Sequence, residues 1–210
     1  MTPSSINFGT VYLYNHGTTE NVTVKNTGNS TLKIVGVSLT LGTKTNAGDF
    51  TFINFCPSTL GAGQSCYISV FFYAGNIGAV SATLNVADNA PGSPQEVSLS
   101  ANVINPQAGL KPSSLSFATT KVGSKSSAQN VTLTNTGTTA LNITSISVTG
   151  TDPKDFAQSN VCPSSLGPSA SCTIAVTFTP TAKGWRSASL TVIDNAQIAT
   201  QNVALSGTGD

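Results

Sequence analysis

One loop constrains this chain more than any other feature, because it occurs twice. It reads Cys56-Pro57-Ser58-Thr59-Leu60-Gly61-Ala62-Gly63-Gln64-Ser65-Cys66 and again Cys162-Pro163-Ser164-Ser165-Leu166-Gly167-Pro168-Ser169-Ala170-Ser171-Cys172. Each copy runs into an alternating apolar segment, with Cys66, Ile68, Val70 and Phe72 in the first and Cys172, Ile174, Val176 and Phe178 in the second. Strands have a side-chain period of two, so each second cysteine shares a face with three core residues. The loops use all four cysteines of the chain. A Pro/Gly loop between two cysteines suits a local disulfide, worth roughly 2.5–3 kcal/mol by chain entropy. Zinc fits less well, since it favours closely spaced thiolates with histidines, and the single His16 has no counterpart in the second copy. Reduced structural thiols are the remaining alternative. The disulfide reading implies an oxidising compartment: extracellular, cell-surface or periplasmic.

The rest of the chain repeats in the same order. Pro3-Ser4-Ser5-Ile6-Asn7-Phe8 is matched by Pro112-Ser113-Ser114-Leu115-Ser116-Phe117. Val22-Thr23-Val24-Lys25-Asn26-Thr27-Gly28 is matched by Val131-Thr132-Leu133-Thr134-Asn135-Thr136-Gly137, an alternating strand closed by turn residues. Leu32, Ile34, Val37 and Leu39 then match Leu141, Ile143, Ile146 and Val148. The same phase slip interrupts both, which points to a β-bulge near Val35-Gly36 and Thr144-Ser145, or to a strand that changes sheets there. Asp49-Phe50 and Asp155-Phe156 precede the cysteine loops, and Asp88-Asn89-Ala90 and Asp194-Asn195-Ala196 end later strands. The repeat predicts domains at 1–104 and 110–210, joined by a short linker at 105–109 that holds Pro106 and Gly109. So short a tether predicts end-to-end domains with restricted bending. No segment carries a sustained 3.6-residue apolar period, so the expected class is all-β: two tandem immunoglobulin-like, seven-stranded antiparallel sandwiches.

Composition narrows the function classes. Charged residues are only 8% of the chain and the net charge is +1, which leaves no electrostatic footprint for nucleic acid or anionic lipid. No apolar run reaches membrane-spanning length, so membrane insertion is not expected. Met1-Thr2-Pro3 leads directly into a strand pattern with no visible signal peptide, so export would make this chain a segment of a longer protein.

The ordered set Pro-Ser-Ser-Leu-Ser-Phe, Asn-Thr-Gly, Asp-Phe, Cys…Cys, Val176-Thr177-Phe178-Thr179-Pro180 and Leu205-Ser206-Gly207-Thr208-Gly209 resembles an ASH (Aspm/Spd-2/Hydin) domain. More narrowly it resembles the bacterial choice-of-anchor D type. The resemblance implies a fold related to major sperm protein and periplasmic pilus chaperones, and no enzyme activity. The first repeat departs from the pattern at Tyr73-Ala74 and Ala101-Asn102, which replace Thr179-Pro180 and Gly207-Thr208.

Chemical constellations are few. A hydrolase triad needs a histidine base, and His16 lies in Tyr14-Asn15-His16-Gly17-Thr18, which reads as a hairpin tip. No catalytic residue, metal site or cofactor is expected. Asp88-Asn89 and Asp194-Asn195 offer calcium-type oxygens but too few of them, and recurrence at strand ends fits Asx turns. Tyr12 and Tyr14 read as sharing a strand face where the second repeat has Lys121 and Gly123, and Trp185 stands where the first has Ala79. A residue required by the common core appears in both repeats, so these three are either half-buried rim residues or contacts for a glycan or protein. The function expected is a spacer, adhesion or interaction module beside neighbouring domains of a longer chain. The alternatives are an accessory domain of an extracellular enzyme that binds carbohydrate or protein, and a strand-capturing, chaperone-like domain.

Overall fold

Apolar–polar alternation becomes strand throughout the computed structural model, which describes residues 1–42 and 44–210. Contacts divide the chain into two units, Met1–Ile104 and Asn105–Asp210. Unit 1 holds β1 (Ser5–Tyr12), β2 (Glu20–Lys25), β3 (Leu32–Leu41), β4 (Phe50–Asn54), β5 (Thr59–Leu60), β6 (Ser65–Phe72), β7 (Gly78–Asp88) and β8 (Gln95–Ile104). They form the sheets β1-β8-β7-β3-β5 and β2-β6-β4. Unit 2 holds β9 (Ala108–Lys111), β10 (Ser114–Ser116), β11 (Gln129–Asn135), β12 (Leu141–Thr149), β13 (Phe156–Asn160), β14 (Ser165–Leu166), β15 (Ser171–Phe178), β16 (Gly184–Asp194) and β17 (Thr200–Gly209). Its sheets are β10-β17-β16-β12-β14 and β13-β15-β11-β9. The strands beyond the expected seven are the two-residue β5 and β14, inside the cysteine loops, and β9.

The expectation of wholly antiparallel sheets is corrected at one place in each unit. β1 pairs parallel with β8, and β10 parallel with β17. A parallel pair needs a long connection, and here the strands between them supply it. Nothing local in β1 or β10 encodes that partner.

Each core lies between its two sheets. Phe8, Phe50 and Phe72 meet with ring centroids 4.8–5.9 Å apart, and Phe117, Phe156 and Phe178 meet at 4.9–5.9 Å. Such tilted aromatic pairs add about 0.5–1.5 kcal/mol each beyond area burial. The phase slip in β3 and β12 is a bulge: register shifts between Ile34 and Gly36, and between Ile143 and Ser145. Val35, the extra residue in β3, is thrown 78% exposed.

The Asn-Thr-Gly turns are tied to the cysteine loops. Asn26 Nδ2 donates to the Ser30 and Leu60 carbonyls at 2.8 and 2.9 Å. Asn135 does the same with Thr139 and Leu166 at 2.8 and 2.9 Å. Both asparagines are buried, so each turn depends on bonds that water does not replace. Residues 105–109, read from the sequence as a linker, bond within unit 2: Asn105 N–H donates to Thr139 Oγ1 at 2.9 Å, and Ala108 opens β9.

Candidate functional site

The cysteines are joined as Cys56–Cys66 and Cys162–Cys172, with Cα separations of 5.0 and 5.3 Å. Each bridge ties the segment before the loop to the first inward position of β6 or β15, and Leu60 and Leu166 are buried beneath the loops. With all four sulfurs in bridges, no thiolate is left for a zinc site. Among the described residues no group of three or more His, Cys, Asp or Glu side chains gathers around a point.

The Asp-Asn pairs act as turn ties. Asp88 Oδ1 and Asp194 Oδ1 accept the N–H groups of Ala90 and Ala196, each at 2.8 Å. Asn89 Oδ1 accepts Lys33 N–H at 2.8 Å and Asn195 Oδ1 accepts Asn142 N–H at 2.7 Å, which fastens the ends of β7 and β16 to β3 and β12. The two aspartates differ in burial. Asp194 is 5% exposed and its Oδ2 has no protein partner among the described residues. Burial pushes the Asp194 carboxyl above the ordinary carboxylate value, against the lowering effect of the Ala196 N–H.

A charged cluster that the repeat pattern did not reveal lies in unit 2. Asp155, 1% exposed on its side chain, accepts Thr181 Oγ1–H at 2.6 Å and the Arg186 Nε–H. The same guanidinium reaches Asp152 Oδ1 through a terminal nitrogen at 2.6 Å, and Asp152 Oδ2 accepts Ser187 N–H at 2.9 Å. Burial alone would raise the Asp155 carboxyl, but the hydrogen bonds from Thr181 and Arg186 outweigh it and hold it below the ordinary value. Arg186 is clamped by two carboxylates, an arrangement that fixes the Pro153–Asp155 turn against β16.

The candidate contact residues are divided between the two units. Tyr12 ends β1, half-buried. Tyr14 lies beyond the strand in a turn, with φ 66° and 68% exposed. The shared strand face read for these two residues is therefore corrected: alternation stops where the ladder stops. Trp185 belongs to unit 2, on β16 opposite Thr208, and is 67% exposed. His16 is exposed, bridges to Tyr73 and sets its ring 5.1 Å from the Tyr73 ring.

The exposed aromatic pair that does form went unread in the sequence. Phe55 and Tyr67 stack at 4.8 Å with an interplanar angle of 30°, beside the Cys56–Cys66 bridge. Phe55 N–H donates to the Tyr67 carbonyl at 3.1 Å, and Ile53 is half exposed nearby in sequence. Unit 2 has Val161 and Thr173 at the matching positions. The disagreement between repeats that singled out Trp185 also marks this pair, and the alternation of β6 places Tyr67 outward.

Comparison with known proteins follows this division. Residues 1–102 match the model of the HYDIN/CFA65/VesB-like, Ig-like domain, and residues 108–210 match that of Cep192 domain 4. No curated protein sequence matches. Among solved structures, a Porphyromonas gingivalis W83 protein of unknown function is 12% identical over 94% of this chain and 93% of its own, with a TM-score of 0.42. The ASH/PapD-like domain 7 of human CEP192 is 23% identical over 49% of this chain and 84% of its own, with a TM-score of 0.37. The Vibrio cholerae VesB protease is 13% identical over 89% of this chain and 63% of its own, with a TM-score of 0.38. Two family matches, one to each half, meet two sheet pairs of matching topology: both halves of this chain have an ASH-like immunoglobulin fold.

Proposed function

We propose that this chain is a non-enzymatic tandem module of a secreted or surface-exposed bacterial protein, of the choice-of-anchor D type, which spaces neighbouring domains and offers contact surface to a partner. The observation that carries the reading is duplication. Each unit has its own aromatic core and its own loop-closing bridge, so each is equipped to stand as an independent link in a longer chain. The bridges support an oxidising compartment, periplasmic or extracellular. Expression of residues 1–104 and 110–210 as separate chains tests independence: each is expected to unfold cooperatively, and molten spectra for both would end the two-domain reading. Small-angle scattering of the whole chain is expected to give an elongated particle, and a compact profile would remove the spacer role.

A second reading, an accessory binding domain beside an enzyme, is favoured by the Phe55–Tyr67 stack. Two exposed, stacked rings next to a rigid bridge suit a planar or sugar-ring ligand better than a spacer surface needs. A glycan array with wild type, the double variant Phe55→Ala/Tyr67→Ala and Trp185→Ala separates the two. Binding lost only in the double variant supports the accessory role and locates it in unit 1.

A further inference from the structure

A strand at the end of a sheet leaves one row of its backbone groups without a neighbour. β4 ends the second sheet of unit 1, as β13 ends that of unit 2. Which groups are left over follows from the ladder to β6. Phe55 N–H donates to the Tyr67 carbonyl at 3.1 Å, and Tyr73 N–H to the Asp49 carbonyl at 2.7 Å, so the odd-numbered residues of β4 bond toward β6. Phe52 and Asn54 turn their N–H and C=O groups to the open side, where neither has a backbone partner among the described residues. The next residues of that row are occupied. Phe50 bridges to Ala47 in the preceding turn, and Cys56 N–H is taken by Asn54 Oδ1 at 2.9 Å.

The side chains of this edge differ between the units. β13 turns the same backbone row outward at Gln158 and Asn160. There Gln158 Nε2 donates to the Ile146 carbonyl of β12 at 3.0 Å, and Asn160 Nδ2 to Gln158 Oε1 at 2.9 Å. Polar side chains thus strap the edge strand to the opposite sheet, and Ser159 lies between them. β4 carries Phe52, Ile53 and Asn54 in their place. Phe52 packs against the core and makes no such tie. Ile53 is 50% exposed, and Phe55 beyond it 52%. β4 also has no charge, no proline and no bulge, the devices that commonly keep an edge from pairing with another chain.

We propose that β4 is the contact surface for a second copy of this chain, paired antiparallel along β4 about a two-fold axis at Ile53. The free groups set the register. Phe52 exchanges both backbone bonds with Asn54 of the second copy, and Asn54 with Phe52 of the second copy, so each edge satisfies the other. Centring the pair on Phe52 would call on Phe50, and centring it on Asn54 would call on Cys56, and both are occupied. A two-fold contact needs a surface complementary to itself, and this edge is one. Donors meet acceptors, no charge meets its like, and Ile53 meets its own copy as a non-hydrogen-bonded pair with Cα atoms about 4.5 Å apart. Thr51 of one copy lies opposite Phe55 of the other. The sheet β2-β6-β4 then continues into β4-β6-β2 of the second copy, and the edge is covered.

Sedimentation velocity of the full chain over a concentration series tests the proposal, with near-ultraviolet circular dichroism of each variant as the check on folding. Wild type is expected to associate reversibly to a dimer. Ile53→Lys and Ile53→Glu each set like charges on the two-fold axis and are expected to weaken the dimer by about tenfold or more. An equimolar mixture of the two variants is expected to restore it, because this register alone sets residue 53 against its own copy. Ser159→Lys, the matching change on β13, is expected to leave the dimer as it is. A monomer at every soluble concentration of wild type, a dimer that survives Ile53→Lys, or a mixture that stays monomeric would overturn the proposal. The contact uses neither the linker nor a ligand, so its failure leaves the spacer and accessory readings standing.

Discussion

Both units bury an aspartate just before the strand that carries the second core phenylalanine, and they solve the problem of its charge differently. In unit 2, Asp155 is held by Thr181 and Arg186, with Asp152 completing the clamp. In unit 1, Asp49 is buried too, but the matching positions hold Asn46, Gly75 and Val80. Asp49 accepts the backbone N–H of Asn46 at 2.7 Å. Its carboxylate approaches Gly75 so closely that a side chain there would collide. Val80, 2% exposed, joins the apolar core. The backbone frame is shared: Tyr73 N–H and Thr179 N–H each donate to the aspartate carbonyl at 2.7 Å. The lesson is that the fold requires the acid's backbone position and leaves the neutralisation of its side chain to the neighbours, which then vary as a set.

Breaking that set has the largest expected effect. Arg186→Ala leaves a buried carboxylate without its cation and is expected to cost unit 2 about 3 kcal/mol, the low end for a broken buried pair because the arginine retains some exposure. Trp185 is the only tryptophan, so its fluorescence in a denaturant titration reports unit 2 selectively. The triple variant Asp152→Asn/Thr181→Gly/Arg186→Val, which carries the unit 1 set, is expected to recover most of the loss. A cost below about 1 kcal/mol for Arg186→Ala would make the cluster an ordinary surface pairing.

The bridges come next. Cys162→Ser/Cys172→Ser is expected to lower the stability of unit 2 by roughly 2–3 kcal/mol, and Cys56→Ser/Cys66→Ser that of unit 1 by a similar amount. Each should leave the other unit's transition in place. A shift of both transitions by one pair would show coupled units, and non-reducing peptide mapping checks the pairing directly.

The acid titration sharpens the contrast within unit 2. The folded Asp155 carboxyl lies below its unfolded value of about 3.9, so its contribution is complete above that pH and disappears as pH falls through the folded value. Asp194 has the opposite sign. Its folded value is raised, so its contribution is present below the unfolded value and is lost as pH rises through the folded one. Asp194→Asn is therefore expected to flatten the loss on the rising side while the acid-side loss remains, measured as unit 2 stability against pH. An unchanged profile would mean that the buried Oδ2 is solvated.

The smallest effect is on the surface of unit 1. Tyr67→Ala is expected to cost about 0.5–1 kcal/mol through the lost ring stack, less than the same experiment on Phe50 or Phe72, which lie in the core. A larger loss would mean that the Phe55–Tyr67 pair serves the fold and not a partner.

What the sequence by itself determined was everything carried by short separations and periodicity. Alternation along Cys66–Phe72 and Cys172–Phe178 specified the core face of β6 and β15, because a strand has one period and two faces, although Ser69, off that face, is buried as well. The doubled phase slip marked the bulges in β3 and β12, and the Pro/Gly loops between paired cysteines marked the bridges, because both signals lie within a few residues of their consequence. Only the tertiary structure decided the parallel pairing of β1 with β8, the meeting of Arg186 with Asp152 and Asp155, and the Phe55–Tyr67 stack. Each of these joins residues from separate strands, where local propensity is the same whichever partner arrives. Arg186 reads as one more polar residue on a strand until the Pro153–Asp155 turn is folded against it. The choice belongs to the packed whole, because a buried charge is tolerable only where a distant element supplies its partner.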